Sequence, residues 1–262
     1  MGYERFRFEV ADGVAEITFA RPEGANAIDL LCSQELAEMA LVCDQSAEIR
    51  AVLFRAEGPM FCAGGDVRSF EGAGNDLPAL LKRVTQGLHT AISRFSRMDA
   101  PVIAAVGGTA AGGGMSLACS ADIVIASENA RFTMAYTRIG LVPDGASTFV
   151  LPRRVGVGRA RELMLRNRVI GATEALELGL IEHVVAHERL DDEARKIARE
   201  LAAGPTCAYG AVKRLLLGTY DHGLETQMEL ETIGISAMGA TADAKEGLAA
   251  FFEKRPPNFH GK

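Results

Sequence analysis

The chain has 262 residues, enough to bury a full core as one large α/β domain or as a domain with an appendage. Hydrophobic residues at 48% against 24% charged exclude a disordered majority. With 28 basic against 34 acidic residues, a net charge of −6 and no long basic run, nucleic acid is not expected as a partner.

Five cysteines (Cys32, Cys43, Cys62, Cys119 and Cys207) are scattered without CxxC spacing, which favours reduced thiols over a disulfide frame or a zinc site, and no metal site is expected. The opening "MGYERFRFEV" carries charges every few residues and lacks the apolar core of a signal peptide. No stretch approaches ~18 uninterrupted apolar residues, so no membrane partner is expected. The expectation is a soluble cytoplasmic protein.

In chain order, "FRFEVADGVAEITFARP" alternates apolar and polar residues around Asp12-Gly13, predicting a β-hairpin that closes at Pro22. Leu36, Met39 and Cys43 then recur at helical spacing within 29–43, and "RAVLFRAEG" (50–58) reads as a strand. Residues 68–80, "RSFEGAGNDLPAL", read as a loop able to set ligand preference. Leu77, Leu81, Val84, Leu88, Ile92 and Phe95 step along one face of a helix over 77–95, which Asp99-Ala100-Pro101 ends. Strands are predicted at 101–106, 122–127 and 131–135, with a short helix after the glycine turn of "AAGGGMSLACSADIVIA" (110–126). Beyond about residue 190 the signals are helical only, including segments at 206–217, 223–239 and 241–254. This divides the chain into a core, 1–190, and a C-terminal helical region, 191–262.

Two strand-to-helix turns are rich in glycine: "GPMFCAGGDV" (58–67) and the run at 112–114. Neither has the Lys and Ser/Thr of a phosphate loop, and neither fits G-x-G-x-x-G. They are either tight structural connections or two helix N-termini whose N–H groups converge on one developing oxyanion.

The order and spacing of five segments resemble the crotonase family, the enoyl-CoA hydratase/isomerase group: "RPEGANAI" (21–28), "FCAGGDV" (61–67), "PVIAAVGGTAAGGG" (101–114), "ADIVIAS" (121–127) and "FTMAYTRIGLVPDGAS" (132–147). The likeness continues through "ATEALELGLIEHVV" (172–185) to "EGLAAFFEKRPPNF" (246–259), essentially the whole chain. It implies an α/β spiral of ββα units with a C-terminal helical trimerisation region, and a homotrimer or a homohexamer built from two trimers. It also implies an acyl-CoA substrate, with coenzyme A entering as part of the substrate and no separate cofactor. The thioester oxygen would sit between the N–H groups of Gly65 and Gly113, which would stabilise an enolate.

By the same resemblance, Ala25, Ala63, Gly64 and Asp66 would line the coenzyme A moiety, although Asp66 reads equally as a helix cap. Lys254 and Arg255 either reach coenzyme A phosphates or belong to a solvated charged face. Met60, Phe61, Phe70 and Met134 either line the acyl pocket or are core.

Hydratases of this family carry two glutamates, one to activate water and one to protonate carbon. The matching positions here are Ser116 and Tyr136, neither of which substitutes for a carboxylate. An acid stands instead at Asp144 in "GLVPDG", resembling phenylacetate-pathway-type enoyl-CoA isomerases and dienoyl-CoA isomerases. One carboxylate would suffice to move a proton from C2 to C4, with Tyr136 and Ser116 shaping or polarising the pocket. On its own, "PDG" is also an ordinary turn.

Alternatives remain open on the same scaffold. Asp144 could activate water for hydration. Chlorobenzoyl-CoA dehalogenases pair such an Asp with a His, which His89 would match, and with a Trp, which this chain lacks; His89 reads equally as a half-buried core histidine. A noncatalytic scaffold or RNA-binding relative is a further possibility, disfavoured by the acidic balance and the retained glycine turns.

Overall fold

The computed structural model describes residues 2–262. An antiparallel hairpin opens the chain: β1 (Phe6–Ala11) and β2 (Val14–Phe19) pair from Phe6↔Phe19 to Ala11↔Val14. Asp12 and Gly13 turn it with φ of 51° and 77°, the left-handed pair that matches the twist of a two-residue hairpin. α1 (Leu30–Gln45) follows, its first turn capped by Asp29, whose carboxylate accepts from Cys32 N at 2.7 Å.

Three successive units then repeat one plan. β3 (Ala51–Ala56), β5 (Val102–Val106) and β7 (Ile123–Ser127) lie parallel in one sheet, joined at its far edge by β10 (His183–Val185). Each of the first three is followed by a short strand of a second sheet: β4 (Met60–Cys62), β6 (Thr109–Ala111) and β8 (Arg131–Thr133), with β9 (Ile170–Gly171) antiparallel to β8. Helices return the chain: α2 (Val67–Ala73) and α3 (Leu77–Arg97) after β4, and α4 (Gly113–Ser120) after β6. α5 (Ser147–Val155), α6 (Val157–Arg166) and α7 (Ala172–Glu177) follow β8. This is the expected α/β spiral of ββα units. The six-stranded order β1-β2-β3-β5-β7-β10 and the four-stranded order β4-β6-β8-β9 make two nested walls.

Residues 68–80 are not a loop. Asp66 caps α2 by accepting from Arg68 N at 3.1 Å, and Pro78 sits in the first turn of α3, where its missing N–H costs nothing. Gly72, Gly74 and Pro78 look like breakers in the sequence, yet the two helices meet in a single short 3-10 turn at Gly74–Asp76. The long helix keeps its apolar stripe: Val84, Leu88, Ile92 and Phe95 are buried, each worth about 1.5–3 kcal/mol when removed from water.

α8 (Leu190–Ala202) buries Leu190, Ala194, Ala198 and Ala202 against Leu53, Ile103 and Ile125 of the large sheet. By packing it belongs with the core, so the helices that stand apart begin beyond Gly204-Pro205 rather than at 191. They are α9 (Thr206–Gly218), α10 (Leu224–Gly239) and α11 (Ala242–Glu253). One buried side chain ties them down. Lys213 Nζ donates to the carbonyls of Phe95 at 2.9 Å and Ala100 at 2.8 Å, and pairs with Asp122 Oδ2 at 2.8 Å. Burial pulls its ammonium below the usual lysine range, partly offset by Asp122.

The five thiols are unpaired, and burial pushes those of Cys43, Cys62 and Cys119 up to about 12, which makes them inert packing groups. No helix among the described residues is long and apolar enough to cross a membrane. Removing the anchor with Lys213→Met leaves two carbonyls without their donor and Asp122 without its cation, Val102 N still donating to its Oδ2 at 2.8 Å; a loss of about 2 kcal/mol in urea unfolding is expected.

Candidate active site

The first glycine turn is organised by the segment before α1. Asn26 is buried, and its side-chain amide donates to the carbonyls of Glu57 at 2.9 Å and Met60 at 2.8 Å while its oxygen accepts from Arg21 N at 3.0 Å. That staple lays residues 25–28 alongside 63–66 as an isolated parallel bridge, Ile28↔Gly65. Ala63 N donates to Ala25 O at 3.1 Å, Ile28 N to Gly64 O at 2.7 Å and Asp66 N to Ile28 O at 3.0 Å. The Gly65 N–H has no acceptor among the described residues.

The second turn begins α4. Gly112 N is held by Thr133 O at 3.0 Å, and Gly113 is the first helical residue, with its N–H equally free among the described residues. The two turns touch. A Cβ on Gly64, at φ +92°, would stand 2.8 Å from Ala111 O and 3.1 Å from Gly113 N. Only one of the two donors comes from a free helix N-terminus, because the Asp66 carboxylate occupies the first amides of α2 (Arg68 N and Ser69 N) and ion-pairs with Arg21. Gly65 contributes an unpaired bridge amide instead.

Gly65 and Gly113 open onto a cavity of about 370 Å³. Its inner end holds Tyr136 and Asp144. Its apolar lining includes Phe70, which lies against Gly65, with Leu81, Val84 and Leu88 of α3 and Leu141 and Val142. Thr85, on the same helix face, has its hydroxyl engaged by Leu81 O at 2.8 Å. Arg138 is the one cation in the lining and donates to Asn167 O at 2.7 Å.

The three residues singled out for lost or gained acids meet at one point. Tyr136 OH donates to Asp144 Oδ1 at 2.5 Å, and Ser116 Oγ lies 2.9 Å from the same phenol oxygen. Burial, then the Asp144 charge, raise the Tyr136 hydroxyl far above its ordinary pKa, so it stays protonated. Asp144 is the only carboxylate in the lining, and its Oδ2 has no partner among the described residues. Asp144 thus lines the cavity as well as standing in a turn.

Other sequence candidates fall outside. His89 is exposed rather than half-buried and does not line the cavity; its Nε2 accepts from Gly145 N at 3.1 Å, which leaves that nitrogen no lone pair for base chemistry. Asp66 is a helix cap outside the lining, whereas Ala63 lines the cavity beside Gly65, with Gly64 beneath it. Ala25 carries the bridge in a left-handed conformation, φ 54°. Of the four hydrophobic lining candidates only Phe70 reaches the cavity; Phe61 and Met134 are core, and Met60 is on β4. Lys254 ends α11, and Arg255 pairs with Glu246 and Glu253. Ile28, Leu81 and Arg138 are lining residues that sequence reasoning missed. For Leu81 the helical stripe was a usable signal. No group of three or more His, Cys, Asp or Glu among the described residues is placed to hold a metal ion.

Paired amides beside a carboxylate define a site for acyl chemistry that develops charge on a carbonyl oxygen. The profile of the enoyl-CoA hydratase/isomerase family matches residues 9–262, and the chain belongs to that family. It is 39% identical, over all of both chains, to a probable enoyl-CoA hydratase of Rhodobacter capsulatus. It is 38% identical to the 1,2-epoxyphenylacetyl-CoA isomerase of Escherichia coli, over 97% of each chain. A putative enoyl-CoA hydratase from Streptomyces coelicolor superposes with a TM-score of 0.94 at 35% identity, covering all of this chain and 96% of its own.

Gly64→Ala puts a methyl group into the contact between the two turns at a backbone angle that L side chains avoid. Steady-state kinetics on an enoyl-CoA should show kcat reduced by about 10²-fold or more, the scale of losing an oxyanion donor.

Proposed function

We propose that the protein is an enoyl-CoA isomerase that moves a double bond through an enolate, with Asp144 as its single acid/base and Gly65 and Gly113 as the oxyanion donors. The observation that carries this reading is the unpartnered Oδ2 of Asp144 in a cavity that contains no second carboxylate.

The reaction follows from that arrangement. Asp144 takes a proton from C2 of a 3-enoyl-CoA; the C2–H electron pair becomes the C1–C2 bond of a dienolate, and negative charge moves to the thioester oxygen between the two amides. The electrons then return, C2=C3 forms, and the same acid delivers its proton to C4. No atom is gained or lost, so one group that alternates between base and acid is sufficient. The apolar lining supports an uncharged hydrocarbon acyl group, and the Thr85 hydroxyl proton is already given to Leu81 O.

The hydratase named at 39% identity favours one other reading, in which Asp144 activates a water for addition to a 2-enoyl-CoA. A paired assay in deuterated water, with 3-enoyl-CoA and 2-enoyl-CoA, separates the two. Isomerisation that falls by about 10²–10⁴-fold in Asp144→Asn supports the single-acid shuttle. Robust hydration that survives the substitution overturns it.

We further propose a homotrimer or homohexamer working in the cytoplasm, where its five thiols stay reduced. α10 buries no residue, and α10 and α11 expose Ile233, Ile235, Phe251 and Phe252, at 58%, 74%, 77% and 79%. Sedimentation equilibrium should return three or six times the 27.9 kDa chain mass; a monomer at micromolar concentration rejects this assembly.

A further inference from the structure

The hydrogen bonds around Asp144 have a direction. Tyr136 carries one hydroxyl proton and gives it to Asp144 Oδ1 at 2.5 Å, so it has none for Ser116. In the 2.9 Å contact between the two hydroxyls Ser116 is then the donor, its single proton shared between Tyr136 OH and Gly112 O, the latter at 3.2 Å. The chain runs Ser116 to Tyr136 to Asp144, from α4 through the 3-10 turn at Tyr136–Ile139 to the loop before α5. Tyr136 donates to the carboxylate, and Ser116 shares its proton between Tyr136 and the Gly112 carbonyl.

The main chain at Asp144 is independently fixed. Its carbonyl accepts from Ser147 N at 3.1 Å and Ser147 Oγ at 2.8 Å, and the next amide, Gly145 N, donates to His89 Nε2 at 3.1 Å. Gly145 has φ +59°, and a Cβ there would stand 2.8 Å from Ser116 Cβ, so the loop presses directly on α4. With the backbone held, the freedom left to Asp144 is rotation of its side chain, and the one hydrogen bond to its carboxylate among the described residues is from Tyr136 to Oδ1.

We propose that Tyr136 is a positioning residue: it pins Oδ1 of Asp144, with Ser116 donating behind it, so that Oδ2 alone receives and returns the substrate proton. The inference rests on the single-acid reading of Asp144 given above. A carboxyl that turned freely would carry the proton away from the bound dienolate and exchange it with water. Held by Tyr136, it keeps the captured proton facing the same side of the acyl chain from C2 to C4. The gain is orientation, since misplacing a reacting group by about 1 Å costs on the order of 10²-fold in rate.

The test uses a 3-enoyl-CoA carrying deuterium at C2, in ordinary water, with kcat, KM and the fraction of label appearing at C4 as readouts. Wild type should return part of the label to C4. Tyr136→Phe should lower kcat by about 10²-fold with KM within about twofold, and the label at C4 should fall toward the solvent-exchanged value. Ser116→Ala should move label return in the same direction by less. Asp144→Asn is run alongside. If it is inactive while Tyr136→Phe keeps both its rate and its label return, Tyr136 is only a wall of the cavity and the inference is overturned, although the single-acid reading stands. If Asp144→Asn remains active, the underlying reading fails and the inference fails with it. Should Tyr136→Phe prove unfolded by circular dichroism, Ser116→Ala decides: unchanged label return overturns the inference, and reduced return supports it.

Discussion

The parallel bridge between residues 25–28 and 63–66 is the constraint on which the site depends. A parallel pairing uses one strand's amides alternately, and here Ala63 N, Ile28 N and Asp66 N are all satisfied within the bridge, which turns the intervening Gly65 N–H outward. Gly65 itself is part of no helix. Its orientation is set by Asn26, whose four polar contacts are all local backbone or backbone across the turn, and by the ion pairs of Arg21 with Asp29 and Asp66. A free donor at a buried site is costly unless something else accepts from it. The spiral presents two such donors, from Gly65 and from the first residue of α4, at neighbouring positions.

The site is held under local backbone strain. Ala25, Ala135 and Ala146 all adopt left-handed φ, at 54°, 54° and 59°, where an L side chain costs about 1–2 kcal/mol each. One begins the bridge, one precedes Tyr136, and one follows Gly145. Each lies next to a hydrogen bond that holds it: Ala25 N to Pro22 O, Tyr136 N to Met134 O, and Ser147 N to Asp144 O. Such residues persist where the surroundings over-determine them, which is the situation expected around a preorganised acid and oxyanion site.

Much of the scaffold was legible because its signals are local. Asp12-Gly13 dictates a hairpin turn, and the stripe from Leu77 to Phe95 dictates a helix, whatever surrounds them. The first strand of each ββα unit also announces itself, but β4, β6 and β9 are too short to carry a period of their own and are defined by their partners. α2 was hidden because Gly72, Gly74 and Pro78 mark breaks while the cap at Asp66 acts through space. The cavity divides the same way. Gly65, Gly113 and Asp144 follow from motif position, but a helix periodicity does not tell whether Leu81 and Val84 face core or cavity, since both are apolar. His89 failed for the opposite reason. Its place along the helix suggested an active-site group, and only the fold reveals that Gly145 N already holds its ring nitrogen.

The two positions where the resemblance would place glutamates, Ser116 and Tyr136, do converge, with their oxygens 2.9 Å apart. Two carboxylates at that separation could not both ionise without a large rise in the pKa of one of them. Two hydroxyls can share the same space at no such cost, and both can donate in a single direction. The carboxylate of the cavity stands instead at Asp144, on the neighbouring loop, with Tyr136 as its donor and Ser116 in contact behind Tyr136. In the proposed reaction the paired amides of Gly65 and Gly113 would meet the thioester oxygen and not the acid, so this change leaves them unaffected. On that reading, the oxyanion half of the chemistry is set by backbone geometry, while the proton-transfer half is set by which of three adjoining side chains carries the charge.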